Sequence, residues 1–355
     1  MKSQRTHQNP YTNRTALASE DDFYGRAKEM ADIYTRLKGG QCVSLIGERR
    51  IGKSSILNAL DFEELKELHD VGPEYHFVLT DMQYISIRSE EDLLAYLVGQ
   101  ISDSIGVDVW GENHRHSLEL IAVEAQKKQL RLVIMLDEFD YLLHSDQVPP
   151  QFYAFLRAWI TGFRIPFVIA SREGNFEKIT ESDDTGSAFW NIFGNVYVGP
   201  FAESEAHELI LEPADREGVD FDQNDVEQVL DLAGFFPMFI QIACYHLFEQ
   251  RQKGPLNDES RDNLKKAYTL DTAPHFRYLK NRLSDPEIEF LNKFPDTTAL
   301  KDAQFTRDSL LQKGVLIRRQ GEMRIFSSLM KEFLAREESS KTRSFIQSVR
   351  NKFFE

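Results

Sequence analysis

Residues 44–57 read SLIGERRIGKSSIL and contain the strongest signal in the chain. They match G-x-x-x-x-G-K-[ST], the pattern of a phosphate-binding loop, or P-loop. Glycines let the main chain turn tightly and approach an anion, and the loop N–H groups then point at it from the start of the next helix. A buried strand pattern (42–46) precedes the loop and a helical pattern follows it. We therefore expect nucleotide phosphates to contact Gly47, Glu48, Arg49, Arg50, Ile51, Gly52, Lys53, Ser54 and Ser55.

A second stretch, LVIMLDEFD (132–140), supplies the acids that such a loop requires. Lys53 would place a positive charge on the β- and γ-phosphates, and the Ser54 hydroxyl would bind Mg²⁺. Asp137 ends the apolar strand pattern and would hold the same Mg²⁺, while Glu138 would be the base that activates the attacking water. Asp140 is assigned to local structure rather than to chemistry. The alternative for the whole stretch is a strand that ends in a solvated acidic turn.

A further strand pattern, FVIASRE (167–173), ends next to Arg172. Because the ends of parallel strands cluster beside a P-loop, Arg172 could sense the γ-phosphate. The alternative is a surface arginine. The catalytic candidates are therefore Glu138, Lys53 and Arg172.

The base of the nucleotide is inferred from a missing motif. A guanine-specific site would need N-K-x-D, and NKFPD (292–296) has the wrong spacing. We therefore expect ATP or ADP, with Mg²⁺, as the ligand.

The order of apolar patterns predicts the domain organisation. Strand-like runs at 42–46, 75–82, 130–138, 165–171 and 195–199 alternate with helical patterns, which is typical of a parallel sheet covered on both faces. One such helix, 89–106, opens with a capping residue, Ser89. The interval between Lys53 and Asp137 contains the strand at 75–82 and leaves room for a strand between the P-loop strand and the acidic strand.

We divide the chain into a polar lead-in (1–20), an α/β P-loop domain (21–200), a helical lid (201–275), a winged helix (276–338) and a tail (339–355). The lid shows helical patterns only, and its apolar run at 232–248 predicts one buried helix. The winged helix is predicted from helices near 285–294 and 304–313 and from a hairpin that turns at Gln320-Gly321.

Composition limits the classes of protein. The chain has 355 residues, 41% hydrophobic and 28% charged, which is ordinary for a soluble protein. Two distant cysteines and a polar start without a signal peptide favour a cytoplasmic protein without a membrane span. The net charge of −15 argues against extensive wrapping of nucleic acid, although residues 276–355 hold 16 Lys and Arg against 11 Asp and Glu.

Several motifs occur together in an order that resembles the STAND-class signalling ATPases, which are related to AAA+ proteins. These are NPY (9–11), FYGRAKEM (23–30), the P-loop, IMLDEFD, IASR and GFFP (234–237). The resemblance spans about residues 9–335. It implies that Phe23, Gly25, Arg26 and Glu29 lie near the adenine, that Arg172 follows the sensor strand, and that Pro237 contacts the nucleotide. Tyr11 of NPY is included in this nucleotide-binding set. Phe235 stands where many relatives have a second glycine.

Departures from AAA+ motors favour a switch. Motor rings place an arginine finger before the last sheet strand, and residues 173–215 contain no arginine. Motors and origin-recognition ATPases also carry an arginine early in the third helix of the helical domain, and the corresponding stretch, GFFPMFIQ, contains none. A missing finger removes a group that stabilises the transition state, so we expect slow hydrolysis. The alternative is a DNA-associated AAA+ ATPase, of the replication-initiator or transposition-regulator kind, that uses Arg318, Arg319 and Arg324 on its hairpin. A third hypothesis, an adaptor that binds nucleotide for structure only, fits poorly with Asp137-Glu138.

The sequence also gives expectations about partners. ATP is the expected small-molecule partner. STAND proteins often carry an effector domain and a repeat sensor, and this chain shows neither pattern, so we expect protein partners to supply them. A homo-oligomer is compatible with the sequence, and DNA is a less favoured partner.

Overall fold

The computed structural model describes residues 8–11, 17, 19–83, 88–109, 111–172, 189–297 and 300–335. These residues divide into two compact units. The first, here called the sheet unit, lies between residues 15 and 198. The second, here called the helical unit, combines the N-terminal residues up to 14 with those from 199 onward. The predicted tail (339–355) lies outside the described residues.

The sheet unit is built on five parallel strands in the order β2-β3-β4-β1-β5. Their bounds are β1 Cys42–Ile46, β2 Tyr75–Asp81, β3 Arg131–Asp137, β4 Phe167–Ser171 and β5 Phe193–Tyr197. Every residue of β1 and β4 is buried, as expected for strands covered on both faces. The predicted α/β class with a parallel sheet is confirmed.

One detail of strand order needs correction. A strand does lie between the P-loop strand β1 and the acidic strand β3, but it is β4, which comes after both in the sequence. The strand at 75–81, which fills the sequence interval between Lys53 and Asp137, is β2 and lies at the sheet edge. Crossovers between parallel strands allow this order, so sequence intervals alone do not fix which strand is inserted.

Helices cover this sheet. Their bounds are α1 Ala27–Lys38, α2 Lys53–Ala59, α3 Glu63–Leu68, α4 Glu90–Ile105, α5 His114–Lys127, α6 Asp140–Leu143 and α7 Pro150–Phe163. The Ser89 hydroxyl accepts a hydrogen bond from the Asp92 N–H (3.1 Å), so the predicted cap of α4 is present. The largest fully buried side chains of this unit include Phe139, Phe152 and Phe167.

The helical unit contains α8 Glu203–Arg216, α9 Gln223–Ala233, α10 Pro237–Arg251, α11 Asp258–Asn281, α12 Asp285–Lys293 and α13 Ala303–Gln312. The prediction of one helix over 232–248 is wrong, because the chain breaks at Gly234. This residue has φ +58°, and an added Cβ would lie 2.6 Å from the Phe326 carbonyl oxygen. Pro237 then starts α10 at a position where its missing N–H leaves no helical bond unmade.

A hairpin follows α13. Its strands, β6 Leu316–Arg319 and β7 Glu322–Ile325, pair in antiparallel fashion around Gln320 and Gly321, which both have positive φ. This is the predicted turn, of the kind that needs left-handed backbone at both central positions. Residues 328–335 are helical. These elements follow the order predicted for the winged helix, and their assignment to that domain stays a prediction.

The N-terminal segment 9–11 differs from the loosely ordered lead-in that the sequence predicts. The Asn9 side-chain amide donates to the Tyr245 carbonyl on α10 (3.0 Å). Tyr11 is 2% exposed and stacks on Phe221, with ring centroids 6.0 Å apart. Segment 9–11 is therefore part of the helical unit.

The Tyr11 hydroxyl completes helix α8 beside a proline. Pro213 lies inside α8, where it has no N–H to donate and its ring crowds the preceding turn. The hydroxyl donates to the Ile210 carbonyl and accepts from the Ala214 N–H (3.1 Å). These two groups are four residues apart, the pair that a regular helical hydrogen bond joins. Tyr11 thus bridges the turn that Pro213 disturbs.

In the described part of the chain, none of the helices combines the length and the apolar composition that crossing a membrane requires.

Candidate functional site

The P-loop is held at the carboxyl end of β1. The Gly47 N–H donates to the carbonyl of Ser171, the last residue of β4 (3.2 Å). An added Cβ at Gly47 would lie 2.4 Å from the Val198 carbonyl oxygen, so only glycine fits. Gly52 has φ +105°, a conformation that favours glycine, and it precedes α2. The two glycines therefore serve different needs: Gly47 lets the loop pass close to the Val198 carbonyl, and Gly52 lets the backbone turn into α2.

Lys53 begins α2 and is 7% exposed. Its Nζ donates to the carbonyls of Gly47 (2.8 Å) and Glu48 (3.1 Å). Burial lowers the pKa of Lys53, while the carboxylates of Glu138, Asp137, Asp140 and Glu48 raise it. The structure thus brings the predicted lysine and the predicted acids into one electrostatic site. An anionic phosphate there would favour the charged ammonium.

The acids stand in a constrained turn after β3. Glu138 has φ +51°, which is uncommon for a residue other than glycine and costs about 1–3 kcal/mol. Its N–H donates to Asp137 Oδ1 (2.8 Å), and the Phe139 N–H donates to the Ala170 carbonyl (2.8 Å). These bonds hold the strained residue in place. Glu138 is one of eight described residues other than glycine with positive φ, and its role as the base stays a prediction.

Asp140 joins the acidic turn to the predicted sensor residue. Its Oδ2 accepts from the backbone N–H of Arg172 (2.8 Å) and lies 3.4 Å from Arg172 Nε. Sequence reasoning assigns Asp140 to local structure and misses its contact with Arg172. The available signal was a carboxylate three residues after Asp137, close behind an apolar run.

Arg26 ties α1 to the P-loop. It is buried, has φ +65°, and its guanidinium donates to the Ile51 carbonyl (2.8 Å) and to Glu29 Oε1 (3.0 Å). Gly25 also has φ +65°. The Phe23 ring packs edge-on against Phe62, with centroids 6.5 Å apart. The segment is therefore placed beside the loop, and its contact with adenine stays a prediction.

The remaining predicted residues are placed as follows. Ser54 lies in the first turn of α2, and its carbonyl accepts from Asn58 Nδ2 (2.8 Å). Ser55 follows it, Ile51 is buried, and Arg49 and Arg50 are exposed. Tyr11 and Pro237 belong to the helical unit, so their contact with nucleotide stays a prediction.

The residues present fit a nucleotide with Mg²⁺. Lys53, buried against main-chain carbonyls, is the cation that phosphates require. Ser54 and Asp137 offer hard oxygen ligands. Among the described residues no group of three or more His, Cys, Asp or Glu could hold a metal. The set suits Mg²⁺, which commonly takes one or two protein ligands and completes its shell with phosphate and water.

A family model described as "Novel STAND NTPase 2" matches residues 38–289, more than half of the chain. The chain belongs to this family. The assignment of the chain to the STAND class of P-loop NTPases from its sequence is therefore confirmed. A comparison with curated proteins gave no significant match.

Solved structures show the same fold. The Walker-type ATPase of Pyrococcus abyssi is 16% identical with a TM-score of 0.61, covering 92% of this chain and 99% of that one. The Aeropyrum pernix ORC2 protein, in ADPNP–ADP complexes, is 14% identical with a TM-score of 0.59, covering 95% and 99%. The Aeropyrum pernix ORC1 protein, in complex with DNA, is 12% identical with a TM-score of 0.50, covering 94% and 97%. At these identities the likeness concerns the fold alone.

Proposed function

We propose that this STAND-family ATPase binds ATP with Mg²⁺, hydrolyses it slowly, and acts as a nucleotide-controlled signalling switch. The observation that carries the proposal is that the P-loop and the turn containing Asp137 and Glu138 are both hydrogen-bonded to the end of β4, and that these two acids act on the charge of buried Lys53. An adaptor that binds nucleotide only for structure fits poorly with the acid pair Asp137-Glu138 at the end of β3.

The roles follow from the chemistry of each group. Lys53 would bind the β- and γ-phosphates, and Ser54 and Asp137 would hold Mg²⁺. Glu138 would take a proton from the attacking water. Arg172 would contact the γ-phosphate, so that ATP and ADP favour different states of the protein.

Slow hydrolysis is proposed because residues 173–215 contain no arginine. A finger from a neighbouring subunit would stabilise charge in the transition state, and its loss lowers kcat by a factor of about 10³–10⁵ in phosphoryl-transfer enzymes. A slow ATPase keeps its nucleotide long enough to signal. The signal and the response would come from protein partners, and a cytoplasmic location is part of the proposal.

The test begins with the nucleotide content of the purified protein, measured by denaturation and chromatography. About one ADP per chain, released slowly, supports a switch. An empty site with fast turnover, especially turnover raised by DNA, contradicts it. Lys53→Ala should abolish nucleotide binding. Glu138→Gln should keep binding and block hydrolysis, whereas the surface control Glu119→Gln should change neither; wild-type hydrolysis by Glu138→Gln would show that the base is assigned wrongly.

A DNA-associated ATPase is the second candidate, because the structurally similar ORC1 protein was solved with DNA. The hairpin arginines give it limited support. Arg319 is 4% exposed and pairs with Glu227 of α9, and Arg324 lies 3.5 Å from Glu322. Arg318 is exposed. A gel shift on duplex DNA at increasing salt would decide: binding that weakens steeply with salt supports this candidate.

A further inference from the structure

Asp140 is a buried charge that the proposed chemistry does not use. It begins α6, is 2% exposed, and accepts from both the main chain and the side chain of Arg172. A buried carboxylate is unfavourable unless it is paired and hydrogen-bonded. Here its hydrogen-bond partners belong to Arg172, which lies just after β4, while its charge also acts on Lys53.

A purely structural role would not require a charge. A neutral acceptor, such as an asparagine oxygen, could accept from the Arg172 N–H and close the turn. The second contact, from Oδ2 to Nε, acts on the guanidinium itself (3.4 Å). A carboxylate strengthens a contact to a cation and restricts its orientation. The charge of Asp140 is thus directed at the part of Arg172 that would meet a phosphate.

We propose that Asp140 is a positioning residue that sets the guanidinium of Arg172 at the end of β4 and thereby determines how well the site distinguishes ATP from ADP. The proposal rests on the proposed function, in which Arg172 contacts the γ-phosphate. Asp140 itself need not touch the nucleotide.

The experiment is a double-mutant cycle on nucleotide preference. Wild type, Asp140→Asn, Arg172→Ala and the double variant are titrated with ADP and with the non-hydrolysable analogue adenylyl imidodiphosphate, each with Mg²⁺, by calorimetry. The ratio of the two Kd values is the readout, because a general loss of stability would not change it selectively. We expect Asp140→Asn to lower the preference for the triphosphate about tenfold, the effect of losing one hydrogen bond to a charged group. In the Arg172→Ala background it should change nothing.

The other outcomes overturn the proposal in different ways. An equal change in both backgrounds means that Asp140 acts independently of Arg172, through the charge of Lys53 or on the phosphates themselves, and overturns the proposal. No change from Asp140→Asn, with a loss from Arg172→Ala, means that Asp140 only closes the turn, and the proposed function stands. No change from Arg172→Ala removes the γ-phosphate contact from the proposed function and this proposal with it.

A second variant covers a failure of Asp140→Asn to fold. Arg172→Lys keeps the positive charge and the backbone N–H but removes Nε. The proposal requires its Kd ratio to fall toward that of Arg172→Ala. A wild-type ratio in Arg172→Lys overturns the proposal.

Discussion

Replacing Gly47 with alanine tests how the P-loop is held. The added Cβ would lie 2.4 Å from the Val198 carbonyl oxygen and 3.0 Å from Ile51 Cγ2. Gly47 is not among the residues with positive φ, so alanine meets no conformational penalty there. Any loss of stability is therefore steric. An ordinary contact begins at about 3.4 Å, so main chain must move by about 1 Å.

That movement is opposed by the sheet. The Val198 N–H donates to the Ile46 carbonyl (2.7 Å), and the Gly47 N–H donates to the Ser171 carbonyl (3.2 Å). Overpacking usually costs about 1–3 kcal/mol, and we expect about 3 kcal/mol because main chain rather than a side chain must give way. Nucleotide affinity should fall too, since the Gly47 carbonyl accepts from Lys53 Nζ.

The assay is urea unfolding followed by tryptophan fluorescence, because all three tryptophans lie in the sequence of the sheet unit. Gly99→Ala is the control: it lies within α4, and an added Cβ meets nothing within 4 Å. It should stabilise the protein by up to about 1 kcal/mol. Equal unfolding midpoints for the two variants would refute the steric reasoning.

Three further outcomes are expected. Tyr11→Phe should lower the free energy of unfolding by about 1–3 kcal/mol, because two buried main-chain groups lose their hydrogen bonds to the hydroxyl. The exposed control Tyr197→Phe should lower it little. Equal thermal unfolding midpoints for the two variants would contradict this expectation. Burial raises the pKa of Glu287, but hydrogen bonds from Lys313, Ser284 and Ser309 bring it below the ordinary 4.5. Its stabilisation is present above pH 4.5 and is lost as the pH falls through the lowered pKa, so Glu287→Gln should flatten that acid dependence in a titration of unfolding. Arg26→Lys should weaken nucleotide binding about tenfold in calorimetry, since an ammonium cannot reproduce both guanidinium hydrogen bonds, to Glu29 and to the Ile51 carbonyl. Unchanged affinity would show that these two bonds do not contribute to nucleotide binding.

The sheet and the P-loop were predictable because their signals are local. Strand runs such as 42–46 are continuous and apolar, and the glycines of the loop have fixed spacing next to them. The turn at Gln320-Gly321 was predictable for the same reason, since its backbone demands are met by adjacent residues.

The missed features depend on contacts between distant residues. The break at Gly234 follows from its close approach to Phe326, and the strand inserted beside β1 is chosen by packing rather than by sequence interval. Asp140 meets Arg172 from 32 positions away. Periodicity and motif spacing carry no information about such long-range contacts. The acids of the site were therefore predictable from the sequence, but the partner of Asp140 was not.

Segment 9–11 constrains the order in which the protein can be assembled as it is made. Its partners Ile210, Ala214 and Tyr245 follow it by about 200 residues or more. During synthesis the segment leaves the ribosome before these partners and cannot join the helical unit until they have been translated. The sheet unit, contained between residues 15 and 198, can fold in the meantime. The helical turn beside Pro213 in α8 therefore lacks its bridging hydroxyl until segment 9–11, which is translated earlier, packs against it.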